Sequence, residues 1–113
     1  MIIYHNPRCS KSRQTLAIIV AKGITPSIVN YLDSVLSEAD IKGLLSKLGV
    51  TARAVIRKGE DAYKTLGLNK LHFSEQELIA AIVKHPKLLE RPIVVKGSSA
   101  IIGRPPENVL TLL

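Results

Sequence analysis

Residues 4–13 read Tyr4-His5-Asn6-Pro7-Arg8-Cys9-Ser10-Lys11-Ser12-Arg13 and contain the only cysteine of the chain. A short apolar run, 1–4, precedes this stretch. The segment after it has the apolar spacing of a helix face and a glycine stop: Leu16, Ile19, Val20 and Gly23. Because Asn and Pro favour turns, the pattern predicts a strand, a turn and the start of a helix.

Cys9 is therefore expected at the N-terminus of that helix. There the free backbone N–H groups and the positive end of the helix dipole favour a thiolate, as do three nearby cations: Arg8, Lys11 and Arg13. Ser10 and Ser12 are short hydroxyl residues of the kind that satisfy such amides. A lone cysteine is also commonly a small buried hydrophobe, but these neighbours favour a nucleophile that faces an anion.

The composition indicates one soluble domain spanning 1–113. The chain has 113 residues, enough for a single core, and no apolar stretch long enough to cross a bilayer. It starts in a strand-like run without a secretory leader, so we expect a cytoplasmic protein with no membrane partner. With only one cysteine, a redox reaction at Cys9 requires an external thiol.

The formal net charge of +7 raises the question of a nucleic-acid partner. The basic residues are spread along the chain, tryptophan is absent, and there are only one Phe and three Tyr. Stacking platforms for single strands are therefore not expected, and we predict no nucleic-acid role. A positive field also suits a small oxyanion.

The order of predicted elements indicates an α/β fold. A second strand is expected over 27–32, and the middle of the chain is helical, with capping boxes at Ser37/Asp40 and Ser74/Glu77, a short helix ending near Arg57 and another over 60–66. A hairpin follows over 92–103, and a closing helix contains Val109, Leu110, Leu112 and Leu113. Since a βαβ crossover is right-handed, the prediction is a thioredoxin-like, four-stranded mixed sheet flanked by helices, with a helical insertion between the βαβ and ββα halves.

Four separated motifs resemble the glutaredoxin-dependent arsenate reductase (ArsC) family essentially from end to end. They are His5-Asn6-Pro7-Arg8-Cys9 with Ser12, Arg57 in Val-Ile-Arg-Lys-Gly, Arg91-Pro92-Ile-Val-Val, and Arg104-Pro105. The resemblance implies an enzyme that reduces arsenate to arsenite with glutathione and glutaredoxin as reductants and no bound cofactor. It also implies that Cys9 is the nucleophile, that Arg57, Arg91 and Arg104 bind the oxyanion, and that His5 and Ser12 lie near the thiolate.

The chemistry of these side chains agrees with such roles. A thiolate attacking an oxyanion meets like-charge repulsion, and guanidinium groups offset it with paired N–H donors that stay charged at any working pH. Each arginine taken singly also fits an ordinary surface position. His5 either tunes the thiolate or is a simple turn residue, and Ser12 either donates its hydroxyl to the thiolate or is a first-turn helix residue.

Several alternatives bear on the same residues. A phosphatase-type loop needs an arginine six residues after the cysteine, where this chain has Thr15, so that loop is discarded. A Spx-type regulator that binds RNA polymerase needs a CxxC pair, and Ser12 replaces its second cysteine. A protein-binding module and a thiol-dependent reductase with another substrate remain open. His72 and His85 lack companion ligands, so no metal site is expected. Arg91-Pro92 is a candidate cis bond, because thioredoxin-like folds often place a cis-proline beside the cysteine, but the sequence does not decide its isomer.

Overall fold

The computed structural model describes residues 1–70 and 72–113. Within it the chain divides into two compact units. The first consists of Met1–Ser34 together with Arg91–Leu113, and the second of Val35–Glu90. The second unit coincides with the helical insertion that the sequence predicts.

The first unit is built on a four-stranded mixed sheet. Its strands are β1 (Ile2–Tyr4), β2 (Ser27–Val29), β3 (Ile93–Lys96) and β4 (Ser99–Ile102), in the order β2-β1-β3-β4. The β1 and β2 strands are parallel, and the β1–β3 and β3–β4 pairs are antiparallel. This confirms the predicted thioredoxin-like sheet.

One helix and a closing 3₁₀ segment cover this sheet. Helix α1 spans Ser10–Ala21, and the 3₁₀ segment spans Pro106–Leu112. The core between the helical segments and the sheet contains four fully buried side chains: Ile3, Ile19, Val94 and Val109. The apolar spacing in the sequence of α1 is explained by this packing, because the buried face of the helix lies against the central strands.

Two details of the sequence prediction were wrong. Val20 does not share the buried face of α1 with Ile19, because its side chain is 57% exposed. The second strand is also shorter than 27–32. It ends at Val29, since the backbone N–H groups of Asp33 and Ser34 both donate to the carbonyl of Asn30 and turn the chain away from the sheet.

The β3–β4 hairpin sets the spacing of two arginines that the sequence singles out. Its turn contains Gly97 at φ +61°, a left-handed conformation that favours glycine. At its open end Ile93 pairs with Ile102. Arg91 lies just before β3 and Arg104 just after β4, so antiparallel pairing brings both to the same end of the hairpin. The Arg91-Pro92 bond, a candidate for the cis form from the sequence, is cis, and so is Arg104-Pro105.

The second unit is helical. It contains α2 (Glu38–Leu48), α3 (Asp61–Leu66) and α4 (Glu75–Lys84), with 3₁₀ segments at Ala52–Val55 and Pro86–Leu88. The Ser37/Asp40 and Ser74/Glu77 capping boxes both form, and each satisfies two backbone donors at a helix start. Helix α4 packs against α2 and both 3₁₀ segments. None of the helices described is long and apolar enough to cross a membrane.

A short bridge within the second unit fixes the backbone around Arg57. Ile56 and Leu89 form an isolated antiparallel bridge, and both are nearly fully buried. The backbone N–H of Arg57 donates to the carbonyl of Leu88 at 2.7 Å, and that of Glu90 donates to Val55 at 2.7 Å. The chain segments that carry Arg57 and Glu90 are therefore held side by side.

Candidate active site

Cys9 occupies the N-cap position of α1, as the sequence predicts. Its backbone is extended, with φ −93° and ψ 122°, and its carbonyl accepts from the N–H of Arg13 at 3.0 Å. No side chain caps this helix end. Backbone N–H groups of the first turn therefore remain directed towards the cysteine sulfur rather than towards a capping hydroxyl.

The pKa of Cys9 lies below the ordinary value of a thiol. Burial of the sulfur raises the pKa, but hydrogen bonds from the backbone N–H of Ser12, the side chain of Arg91 and the backbone N–H of Lys11, together with the charge of Arg91, outweigh it. The sulfur is thus stabilised as a thiolate by a helix N-terminus and an arginine. At a given pH the thiolate fraction of Cys9 is therefore larger than that of an ordinary cysteine.

Two arginines converge on the sulfur from the hairpin ends. Nη1 of Arg104 lies 3.9 Å from Sγ of Cys9 and also donates to the carbonyl of Arg91 at 3.3 Å. The Arg91 side chain donates to the same sulfur. The first unit therefore brings Cys9, Arg91 and Arg104 together, and an oxyanion beside the thiolate would meet two guanidinium groups.

His5 and Ser12 form a buried network behind the cysteine turn. Nδ1 of His5 lies 2.5 Å from Oγ of Ser12, and the same oxygen accepts from the backbone N–H of Asn6 at 3.1 Å. Burial, and then the charge of Arg13, lower the pKa of His5 below its ordinary value, which favours the neutral ring. The Ser12 hydroxyl faces His5 and Asn6. The hydrogen bond from Ser12 to the Cys9 sulfur comes from the backbone N–H and not from the hydroxyl.

A close contact between α1 and the end of β4 was not apparent in the sequence. The hydroxyl of Thr15 donates to the carbonyl of Lys11 at 2.8 Å, and its oxygen also lies 3.4 Å from the carbonyl oxygen of Gly103. A Cβ at Gly103 would lie 2.6 Å from Oγ1 of Thr15 and 2.8 Å from Cγ of Pro92. Only glycine fits, and it directly precedes Arg104. The one local signal is the small residue itself, because its partner lies 88 positions away in the chain.

Arg57 lies in the second unit, between two carboxylates. Its Nε is 3.5 Å from Oε1 of Glu90, and its Nη1 is 3.9 Å from Oε1 of Glu60. Nη1 is buried and makes no hydrogen bond to any of the residues in 1–70 and 72–113. The role of Arg57 in the oxyanion site stays a prediction.

Metal-ligating residues are not clustered in the part of the chain that the structure describes, where no three His, Cys, Asp or Glu side chains come together. His72 stacks on Phe73, with ring centroids 4.5 Å apart. His85 lies at the end of α4.

Comparison with known proteins identifies the family. Residues 4–112 match the model of the ArsC family. A protein called arsenate reductase from Haemophilus influenzae is 48% identical over 100% of this chain and 98% of its own length. An uncharacterised Escherichia coli K12 protein, YfgD, is 50% identical over 98% of this chain and 94% of its own. The solved structure of an arsenate reductase from Vibrio cholerae, 48% identical, superimposes with a TM-score of 0.96 over 99% of this chain and 96% of that one. This chain belongs to the ArsC family.

Proposed function

We propose that this protein is an arsenate reductase, in which the Cys9 thiolate attacks arsenate bound by arginines. The observation that carries the proposal is the convergence of Arg91 and Arg104 on a sulfur whose pKa is lowered at a helix N-terminus. Full-length similarity to proteins called arsenate reductase supports the choice of oxyanion. Arg57, with its unused buried donor, is proposed as the third arginine of the site.

The first step forms a sulfur–arsenic bond. The thiolate of Cys9 attacks arsenic, and the hydroxyl group of monohydrogen arsenate takes up one proton from solvent and leaves as water. The product is an arsenate ester of the Cys9 sulfur, with arsenic still in the +5 state. Arg91 and Arg104 offset the negative charge that the thiolate and the oxyanion bring together, which is the main obstacle to the reaction.

The second step reduces arsenic and consumes an external thiol. A glutathione thiolate attacks Sγ of Cys9, the sulfur–arsenic bond breaks, and its electron pair passes to arsenic, which leaves as arsenite in the +3 state. Cys9 is left in a mixed disulfide with glutathione. Because the chain has no second cysteine, a glutaredoxin thiolate then attacks the glutathione sulfur and frees the Cys9 thiolate. The electrons come from thiols, so no bound cofactor is required.

The test is arsenate-dependent oxidation of NADPH in a coupled assay with glutathione, glutathione reductase and glutaredoxin. We expect turnover by the intact protein and none by Cys9→Ser. Omission of glutaredoxin should stop the reaction after about one equivalent of arsenite per protein, since the mixed disulfide then accumulates. Full activity of Cys9→Ser would refute the mechanism. A folded, inactive wild-type protein would refute arsenate as the substrate.

A further inference from the structure

The side chain of Asn108 spans the short connection between β4 and the closing 3₁₀ segment. Its amide Nδ2 donates to the carbonyl of Arg104 at 3.1 Å and to the carbonyl of Ile102 at 3.4 Å. Both acceptors are carbonyl oxygens, so the amide nitrogen, which carries two N–H donors, is the atom that faces them. The backbone of Arg104 is therefore tied to a side chain that lies beyond it in the chain.

The backbone of Asn108 is itself well anchored. Its N–H donates to the carbonyl of Pro105 at 3.0 Å. The next residue, Val109, is fully buried in the core of the first unit, together with Ile3 and Ile19. The amide of Asn108 thus extends from a fixed position, and its hydrogen bonds restrain the two carbonyl groups that accept them.

Two hydrogen bonds hold the chain on either side of the Arg104 Cα. Before it, the N–H of Gly103 donates to the carbonyl of Pro92 at 2.9 Å. After it, the carbonyl of Arg104 accepts from Asn108. Replacement of the Asn108 amide removes the second hydrogen bond and leaves the first in place.

The position of this backbone matters because the side chain of Arg104 reaches the cysteine. Its Nη1 donates to the carbonyl of Arg91 at 3.3 Å and lies 3.9 Å from Sγ of Cys9. Hydrogen bonds weaken steeply as the distance grows and the alignment deteriorates. A contact as long as the one to sulfur is therefore sensitive to a small displacement of the Arg104 backbone.

We infer that Asn108 is a positioning residue for Arg104, which holds the arginine backbone where its guanidinium reaches the Cys9 sulfur. The inference deepens the proposed function and rests on it for the arsenate step alone, because the contact between Arg104 and the sulfur belongs to the protein itself. A guanidinium beside a thiolate favours the charged form of the sulfur. Loosening Arg104 should therefore raise the pKa of Cys9.

A purely structural role for Asn108 is the competing explanation. In that case its hydrogen bonds serve only to hold the closing 3₁₀ segment on the sheet. Loss of the amide would then lower the midpoint of thermal unfolding and leave the pH profile of Cys9 alkylation as it is in wild type. The two explanations differ in a readout that stability alone does not change.

The experiment measures the rate of Cys9 alkylation by iodoacetamide as a function of pH in wild type, Asn108→Ala and Asn108→Leu. Leucine has nearly the shape of asparagine but no N–H donor, so the pair separates loss of the hydrogen bonds from loss of bulk. We expect both variants to move the midpoint up by about 0.3–0.5 pH units, a two- to threefold loss of thiolate below the midpoint, as suits one exposed hydrogen bond.

Thr111→Val is the matched control. The Thr111 hydroxyl donates to the carbonyl of Asn108 at 2.9 Å, and this residue is also exposed. The variant removes a hydrogen bond of the same kind from the same segment, without a change of charge and without touching the carbonyl of Arg104. Its alkylation profile should follow that of wild type.

A double-mutant cycle tests whether Asn108 acts through Arg104. Arg104→Gln removes the guanidinium and should raise the midpoint at least as much as Asn108→Ala does. Adding Asn108→Ala to Arg104→Gln should then give no further shift, because the group that Asn108 positions is gone. Additive shifts in the double variant would overturn the inference.

Four other results would also overturn it. They are wild-type profiles in both Asn108 variants, a shift confined to Asn108→Ala, a shift of the same size in Thr111→Val, and a wild-type profile in Arg104→Gln. Thermal unfolding of each variant shows that the proteins compared are folded over the pH range of the assay.

Arsenate turnover, measured in parallel, separates this inference from the proposed function. Inactive wild type whose Asn108 and Arg104 variants show the non-additive shift refutes arsenate reduction and retains the positioning role. Active wild type whose variants show unchanged or additive profiles retains the proposed function and refutes the positioning role.

Discussion

Nη1 of Arg104 lies 3.9 Å from Sγ of Cys9, although 95 positions separate the two residues in the sequence. The contact joins the first helix turn to the exit of the β3–β4 hairpin. It depends on three things: the N-cap position of the cysteine, the pairing of β3 with β4, and the glycine that precedes Arg104.

Loss of the Arg91 charge should raise the pKa of Cys9. The Arg91 side chain donates to the sulfur and interacts with it electrostatically, and both effects lower that pKa. We expect Arg91→Gln to react more slowly with iodoacetamide at pH 7 than wild type and to reach its plateau rate at a higher pH. Lys22→Gln removes one charge from the opposite end of α1 and should leave the alkylation profile unchanged. An identical profile for Arg91→Gln would show that Arg91 does not contribute to the activation of the thiol.

Gly103→Ala should destabilise the protein and disturb the Arg104 contact. The added Cβ would meet Thr15 and Pro92 at distances too short for carbon and oxygen atoms, and both neighbours are buried. Overpacking of this kind costs about 1–3 kcal/mol of unfolding free energy. Urea denaturation measures the loss, and the pH profile of Cys9 alkylation reports on the displaced arginine.

Gly43→Ala is the matched control for Gly103→Ala. Gly43 lies within α2, and no atom is within 4 Å of the position a Cβ would take. A helix interior favours alanine over glycine by about 0.5–1 kcal/mol, so this variant should be more stable than wild type. If the two alanine variants changed stability equally, the steric explanation for Gly103 would fail.

Ser12→Ala should lower stability by removing the buried oxygen shared by His5 and the backbone N–H of Asn6. An unsatisfied buried donor costs about 1–3 kcal/mol, which denaturation can resolve. Alkylation of Cys9 should change little, because it is the backbone N–H of Ser12 that donates to the sulfur. Ser10→Ala, at an exposed first-turn position, serves as the control. A large loss of Cys9 reactivity in Ser12→Ala would assign the hydroxyl to the thiolate after all.

Stability should fall as the pH drops below 6.5, in part because of His5. Burial and then Arg13 lower its pKa in the folded state, so the unfolded chain binds a proton at a higher pH than the folded one. The unfolding free energy therefore decreases from about pH 6.5, the unfolded value, down to the lower folded pKa. His5→Gln should show a shallower decrease over that interval. Parallel pH dependences for the two proteins would contradict the assignment.

Much of the fold was predictable because its signals are local. Both capping boxes and the turn before α1 follow from residues a few positions apart, and the mixed four-stranded sheet follows from the succession of elements and the handedness of the crossover. The lone cysteine at a helix start was predictable for the same reason. Val20 was misassigned because apolar spacing does not indicate how far the packed face extends.

The parts of the site that sequence reasoning missed depend on tertiary contacts. Nothing in the sequence near Thr15 indicates that Gly103 will pack against it. Glu90 precedes Arg91 in the chain and was not singled out, although its side chain pairs with Arg57. Neither contact leaves a periodic pattern in the sequence, because each depends on where two segments that are distant in the chain meet. The direction of the Ser12 hydroxyl likewise depends on the buried His5 ring.

The distance between two arginines at the open end of the β3–β4 hairpin does not depend on the length of the turn at its other end. Arg91 and Arg104 are both next to the paired end at Ile93 and Ile102, whereas the turn at Gly97 lies at the other end of the ladder. Residues inserted into that turn would lengthen the loop without moving the arginines. The hairpin tip is therefore a natural place to attach an affinity tag, a fluorophore or a foreign loop while the chemistry at Cys9 is preserved.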